Sequence, residues 1–257
     1  MNPEMRNLKA FLDAKSDEFN TADFIARDPV SVPHRFNSPP DIEIAGFLSA
    51  TLSWGQRPQI IAKARALTEL MDNEPYNFLT QAPEKEFERF SRFIYRTFNG
   101  DDCLFFMYSL RSVYREYETM EQLFTEGYRK ENSVRDGIIT FRKKFLEMPH
   151  LVRSAKHLAD PGSGSAAKRV NMFLRWMVRN DGRGVDFGLW KRINPDHLMC
   201  PLDVHSGRIA RMLGLLKRKQ DDWKAVEELT ANLRLFNAGD PVKYDYALFG
   251  TGVNGMH

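Results

Sequence analysis

The stretch ADPGSGSAAKRVNMFLRWMVRN, residues 159–180, decides the reading of this chain. Pro161, Gly162, Ser163 and Gly164 form a tight turn, because glycine admits backbone conformations that other residues avoid. A helix then starts. Val170, Phe173, Leu174, Met177 and Val178 recur at helical spacing and make one apolar stripe. Lys168 falls in the first turn of that helix, near the positive end of the helix dipole, which disfavours its charged form. An amine must be unprotonated to act as a nucleophile. In most proteins, though, a first-turn lysine is simply solvated.

A second helix follows CPLD, residues 200–203, with Ile209, Met212, Leu213 and Leu216 at helical spacing. Asp203 stands just before it, where a carboxylate caps free N–H groups. Between the two helices lies NDGRGVDFGLWKRINPDHLMC, a long irregular insertion. DDWKAVEELT starts another helix, and DPVKYDYALFG reads as a short capped one. Upstream, helical periodicity recurs at 42–54, 58–71, 102–117 and 134–146, and no strand alternation persists. An N-terminal helix is expected over about 4–15. It is joined to the body by DPVSVPHRFNSPPD, residues 28–41, whose four prolines predict a stiff extended connection.

The chain has 257 residues, enough for one large domain or two small packed ones. No apolar run is long enough for a membrane span and no signal-peptide core is present, so a cytoplasmic protein is expected. Two cysteines, Cys103 and Cys200, are too few for a four-cysteine zinc or iron–sulfur cluster. Charge is unevenly spread. Residues 151–219 carry fourteen Lys and Arg against five Asp, a net +9, which leaves −6 on the rest of a chain whose total is +3. Arg208, Arg211, Lys217, Arg218 and Lys219 follow one another with no acid between Asp203 and Asp221. A localised basic region is the footprint expected for a polyanion, although many solvated helices are equally basic.

The two helices and their flanks resemble the helix-hairpin-helix DNA glycosylases, including the endonuclease III and 8-oxoguanine branches. GSGSAAK, residues 162–168, is similar to their hairpin: Gly164 matches its first glycine, Ala166 stands where a second glycine is usual, and Lys168 matches the catalytic lysine. KRVNMFLR is similar to an archaeal 8-oxoguanine branch, and LDVHSGRIARMLGL resembles the family's aspartate-bearing run, with Asp203 at the catalytic position. AGFLSATLSWGQRPQIIAKA is similar to the early core helix and YDYALFGTGV to the last helix, without the cysteines of iron–sulfur members. Over its whole length the chain also resembles a bacterial family of unknown function, through DPVSVPHRF, GFLSATLSWGQR and DPVKYDYALFG.

The resemblance implies an all-α fold of two interleaved helical subdomains. Residues 1–40 with 200–257 would form one. Residues 41–199, carrying the hairpin at about 158–180, would form the other. A cleft between them would hold Lys168 and Asp203. It implies base excision from damaged duplex DNA, with AP-lyase activity and an oxidised purine such as 8-oxoguanine as the expected base. Lys168 would attack the sugar C1′ and form a Schiff base, and Asp203 would stabilise the developing positive charge and move protons. Gly162, Gly164, Ser165, Arg169, Arg208 and Arg211 would contact the DNA backbone. Trp54, Gln56, Phe187 and Trp190 are candidates for the base pocket, although Trp54, Trp176 and Trp190 at helical positions are more often core. His34 and Arg35 are lesser candidates for DNA contact. No cofactor or metal is implied, and His205 beside Asp203 is a weak ligand pair. Hairpins of this superfamily often hold a monovalent cation against DNA, which leaves room for one here. Two alternatives stay open: a non-catalytic nucleic-acid-binding protein, and a Lys168 Schiff-base enzyme acting on a small nucleoside-like substrate. The sequence does not fix the oligomeric state.

Overall fold

Helical periodicity in the sequence becomes helix in the structure. The computed structural model describes residues 1–254, and among these residues the chain is all-α: no strand forms, only isolated bridges of Tyr95 with Phe98 and Ser165 with Asp222. The helices in chain order are α1 (Pro3–Phe19), α2 (Ala22–Ala26), α3 (Pro39–Thr51), α4 (Arg57–Glu69), α5 (Pro75–Gln81), α6 (Gly100–Glu116), α7 (Met120–Tyr128), α8 (Val134–Phe145), α9 (Lys168–Val178), α10 (Val204–Met212), α11 (Trp223–Arg234) and α12 (Asp245–Asn254). None is long and apolar enough to cross a membrane. Local chemistry sets their starts. Asn2, Asn99, Thr119, Ser133, Asp203 and Asp222 each accept a first-turn N–H, which satisfies donors that the helix cannot.

The proline-rich loop is less extended than its composition predicts. Pro29–Ser31 and Pro33–Arg35 are 3-10 turns, and Pro39 opens α3. Proline suits a first helical position, because its missing N–H would have no intrahelical partner there.

The chain divides into two units. A terminal unit joins Met1–Ala26 to the segment from Asp160 onward, and a central unit comprises Arg27–Ala159. This corrects the boundaries read from sequence. Residues 160–199, including α9, pack with the terminal segments, and residues 27–40 pack with the central ones. The boundaries fall at the start of the proline-rich loop and at the turn before α9.

The central unit is built on phenylalanine. Phe47, Phe106, Phe141 and Phe145 meet ring to ring, with Phe124 stacked on Phe141 at 4.3 Å. The terminal unit buries Leu12, Leu202, Ile209, Leu229 and Leu248 together. In it α1 lies against α12, and Gly250 allows the approach: a Cβ there would come within 2.2 Å of the Phe19 ring.

Candidate functional site

The segment entering α9 is a compact turn held by its own side chains. The Asp160 carboxylate accepts from Gly162 N (2.9 Å), Ser163 N (3.3 Å) and Ser163 Oγ (2.8 Å). Gly164 takes φ +92°, a left-handed conformation in which only glycine is unstrained. Its carbonyl accepts from Trp223 N, so the turn is tied to the start of α11. Ala167 takes φ +48°, and a left-handed alanine costs on the order of 1 kcal/mol. The second left-handed position is thus 167, not the 166 at which the sequence comparison places a glycine. Ala167 N donates to Ser165 Oγ and Asn171 Nδ2 donates to the Ala166 carbonyl, which hold the strained corner in place. Lys168 becomes the first residue of α9, whose start has no side-chain cap.

Asp203 uses its two oxygens differently. Oδ1 accepts from His205 N (2.9 Å) and Ser206 N (3.0 Å), while Ser206 Oγ accepts from Asp203 N, a reciprocal capping box. Oδ2 lies 3.7 Å from Lys168 Nζ, with both side chains about one quarter exposed. Two residues thirty-five positions apart therefore meet as an accessible ion pair, and the cap fixes the direction in which the carboxylate points.

Three neighbours of the amine were not singled out from the sequence. Met172 Sδ is 3.5 Å from Lys168 Nζ, one turn along α9. The Phe249 ring centroid is 5.8 Å from it. Asp245, one turn before Phe249 on α12, is buried and interacts electrostatically with both Lys168 and Asp203. The i+4 spacing from Lys168 could have found Met172. Phe249 and Asp245 arrive by tertiary packing and leave no local signal.

Behind the pair lies a buried charge network. Arg175 bonds Asp186 and Asp245, and Arg179 bonds Asp186 (3.0 Å), Asp240 (2.9 Å) and Asp181 (2.9 Å). The face of Tyr246 lies 4.2 Å from the Arg175 guanidinium. Arg175 and Arg179 are each 3% exposed, so neither contributes to a basic surface. Arg211, too, is engaged, by the Arg218 and Lys219 carbonyls and by Asp221, and Arg218 pairs with Asp222. Four arginines of the +9 segment are therefore paired, largely with acids that lie outside it: Asp245, Asp240, Asp221 and Asp222. Lys217 and Lys219 remain exposed.

The other expected site residues separate by location. Gly162 N donates to Asp160 and Gly164 N to the Pro161 carbonyl, so the two amides offered to a phosphate are already engaged. Ser165 is exposed, and its Oγ accepts inside the turn. Arg169 is half-buried in the first turn of α9, and burial pushes its guanidinium down to about 10. Arg208 is exposed and donates to the Gly252 carbonyl at 2.9 Å, joining α10 to α12. Trp190 is corrected to a core residue: it is 3% exposed, edge-on to Phe173, with its N–H on the Met177 carbonyl. Phe187 N donates to the Trp176 carbonyl. Both therefore sit toward the far end of α9, about 12 Å along the helix from Lys168 at 1.5 Å per residue. Trp54 and Gln56 belong to the central unit. There Trp54 is half-buried, stacked on His157 with centroids 5.7 Å apart, and its carbonyl accepts from Tyr95 OH; Gln56 is exposed just before α4. His34 is half-buried, and Arg35 donates to Thr68 and Asn73. Both cysteines are buried free thiols, and among the described residues no three His, Cys, Asp or Glu side chains gather as a metal site.

Gly252 supports the site from beneath. A Cβ there would stand 3.0–3.1 Å from the His205 backbone and Cβ, too close for ordinary contact. Gly252→Ala is therefore expected to push the first turn of α10, and Asp203 with it, by a few tenths of an ångström. If Lys168 and Asp203 react together, the rate that depends on Lys168 is expected to fall about tenfold, since small misplacements of reacting groups are costly, with the melting temperature little changed. Single-turnover kinetics beside a thermal melt checks this; a lower melting temperature with an intact rate would count against it.

Comparison with known proteins gives one match. A family described as a protein of unknown function matches residues 28–254. No curated protein and no solved structure matches the chain.

Proposed function

The chain belongs to the DUF2400 family, proteins of unknown function, and from its own residues we propose that it is a helix-hairpin-helix DNA glycosylase with AP-lyase activity, working through Lys168 and Asp203. The turn at 160–167 is read as the hairpin and α9 as the helix that follows it. One observation carries the proposal: Lys168 Nζ and Asp203 Oδ2 lie 3.7 Å apart at the starts of two helices, each about one quarter exposed, with the carboxylate aimed by its own cap.

In the proposed reaction the damaged nucleotide is turned out of the duplex. The Lys168 ammonium passes a proton to Asp203. Its neutral nitrogen bonds C1′ as the glycosidic bond breaks, and the bonding pair leaves with the base, which takes up a proton. The bonded nitrogen loses a proton, its lone pair forms the C1′=N bond as the C1′–O4′ bond breaks, and O4′ takes up a proton, giving a Schiff base; loss of a C2′ proton then expels the 3′ phosphate and cleaves the strand. Asp203, when charged, faces the positive charge that develops at C1′. Met172 and Phe249 offer a thioether and an aromatic ring beside the amine, surfaces suited to a flat base. The uncapped start of α9, with Arg169 in its first turn, supports a phosphate contact. An oxidised purine such as 8-oxoguanine is the proposed base.

The test is borohydride trapping on duplexes carrying 8-oxoguanine, uracil, thymine glycol or an abasic site. A covalent complex is expected, absent in Lys168→Ala. No complex on any duplex would sink the lyase chemistry. The internal pairing of Arg175, Arg179, Arg211 and Arg218 favours a second reading, a Lys168 Schiff base with a small carbonyl substrate; trapping of a free aldehyde sugar but of no duplex would select it.

A further inference from the structure

Charge in the central unit is unevenly placed. Residues 54–68 and 89–100 together carry six cations and no acid, whereas the rest of residues 27–159 carry thirteen cations and eighteen acids. The first segment is the turn from α3 into α4 with most of α4. The second ends in a tight hairpin in which Tyr95 and Phe98 exchange both backbone hydrogen bonds, at 2.8 and 2.9 Å. The two segments pack side by side. Tyr95 Oη donates to the Trp54 carbonyl at 2.6 Å, and Lys63 Nζ stands 5.8 Å from the centre of the Phe93 ring. Gly55 takes φ +113°, and a Cβ there would fall 2.5 Å from a nitrogen of the Arg96 guanidinium, so that side chain lies across the turn.

Not all six cations face this surface. Arg89 is spent on Asp72 and Glu86. Arg65, two residues on from Lys63, projects about 200° around the helix from it. Lys63, Arg92 and Arg96 are exposed, and among the described residues no acid pairs with them. Arg57, half-buried in the first turn of α4, adds a fourth charge. The hairpin holds Arg96 in the left-handed region at φ +54°, a conformation that persists in a residue with a Cβ only where its surroundings impose it.

We propose that this face binds the phosphate backbone of duplex DNA, with Lys63, Arg92 and Arg96 as the contacts and Arg57 adding to their field. Clustered cations free of acids are the footprint of a polyanion. A duplex suits the face better than a single strand, whose bases need exposed rings to stack on. Here Phe93, Tyr95 and Phe98 are buried, and Trp54 is half-buried against His157. The proposal rests on the reading of the chain as DNA-binding, not on the chemistry at Lys168.

The test is binding of the whole chain to a fluorescein-labelled, undamaged duplex, read by anisotropy between about 50 and 200 mM salt. Each phosphate contact contributes about 0.9 to the slope of log affinity on log salt. The combined variant Lys63→Gln, Arg92→Gln, Arg96→Gln is therefore expected to lose about 2–3 from that slope and to bind about 100-fold more weakly near 0.1 M salt. Lys85→Gln, Lys130→Gln, Lys143→Gln removes the same charge from exposed positions outside the two segments and should leave the slope within about 0.5 of wild type. An unchanged slope in the first variant, or an equal loss in the second, overturns the proposal. So does a wild type that binds no duplex, or that prefers a single strand of the same sequence. If the first variant melts early, Lys63→Gln alone decides, with an expected loss of about 1 in slope; no loss overturns the proposal. Variant-sensitive binding in a protein that traps covalently on no duplex would leave this surface standing and sink the lyase. Trapping by wild type with an unchanged slope in the variant would do the reverse, so the two failures are distinguishable.

Discussion

Asp203→Asn should slow the Lys168-dependent reaction by about 10²–10⁴-fold while the melting temperature stays within about 2 °C of wild type. The division of labour between the two oxygens is the reason. Asparagine caps a helix about as well as aspartate, so Oδ1 still accepts from His205 N and Ser206 N. The atom facing Lys168 becomes an amide NH2, which neither accepts its proton nor stabilises positive charge at C1′. General acid–base catalysis typically contributes a factor of that size. The ion pair itself is partly exposed and contributes little to stability. Asp203→Ala removes cap and chemistry together and should in addition lose about 1 kcal/mol. Single-turnover rates and thermal melts on the three proteins check this. An unchanged rate in Asp203→Asn would leave Asp203 a cap and nothing more.

Arg179→Ala is expected to be the most damaging single change to stability. Its guanidinium satisfies Asp186, Asp240 and Asp181 at once. Asp186 is buried, and Asp240 is already pushed up by desolvation. Removing one partner of a buried ion pair costs about 3–5 kcal/mol, because the charge left behind has no water to turn to. In a protein of this size that is roughly a 10 °C drop in melting temperature. Arg179→Lys should recover little, since an ammonium cannot present the planar fork that reaches three carboxylates. Urea melts read the loss directly; a drop below about 1 kcal/mol would show that these carboxylates are satisfied by other groups.

Much of the helical framework was legible in the sequence, because it depends on local patterns: an apolar stripe, a glycine turn, a capping residue. That Lys168 faces Asp203 was expected from the family resemblance, since the local patterns alone gave a first-turn lysine and a helix cap. Burial of charge was not. Arg175 and Arg179 counted toward the basic segment, because sequence gives a side chain's charge but not its surroundings. Trp190, in an irregular insertion, read as a pocket wall for the same reason. Its burial comes from chain packed along α9, which no periodicity announces. The amine's other neighbours, Phe249 and Asp245, lie some eighty residues away in sequence. Pro39 misled in the opposite direction, since a proline that breaks one helix can open another.

The discontinuous make-up of the terminal unit orders events during synthesis. Its α1 is made before the 133 residues of the central unit, yet its partner α12 follows them. At ordinary translation rates of roughly 5–20 residues per second the first helix waits on the order of ten seconds or more, unpartnered, while the central unit is completed. Lys168 and Asp203 leave the ribosome before Asp245 and Phe249, so the amine acquires its full surroundings only when α12 docks. A nascent chain therefore carries Lys168 and Asp203 before the helix that completes their surroundings has been made.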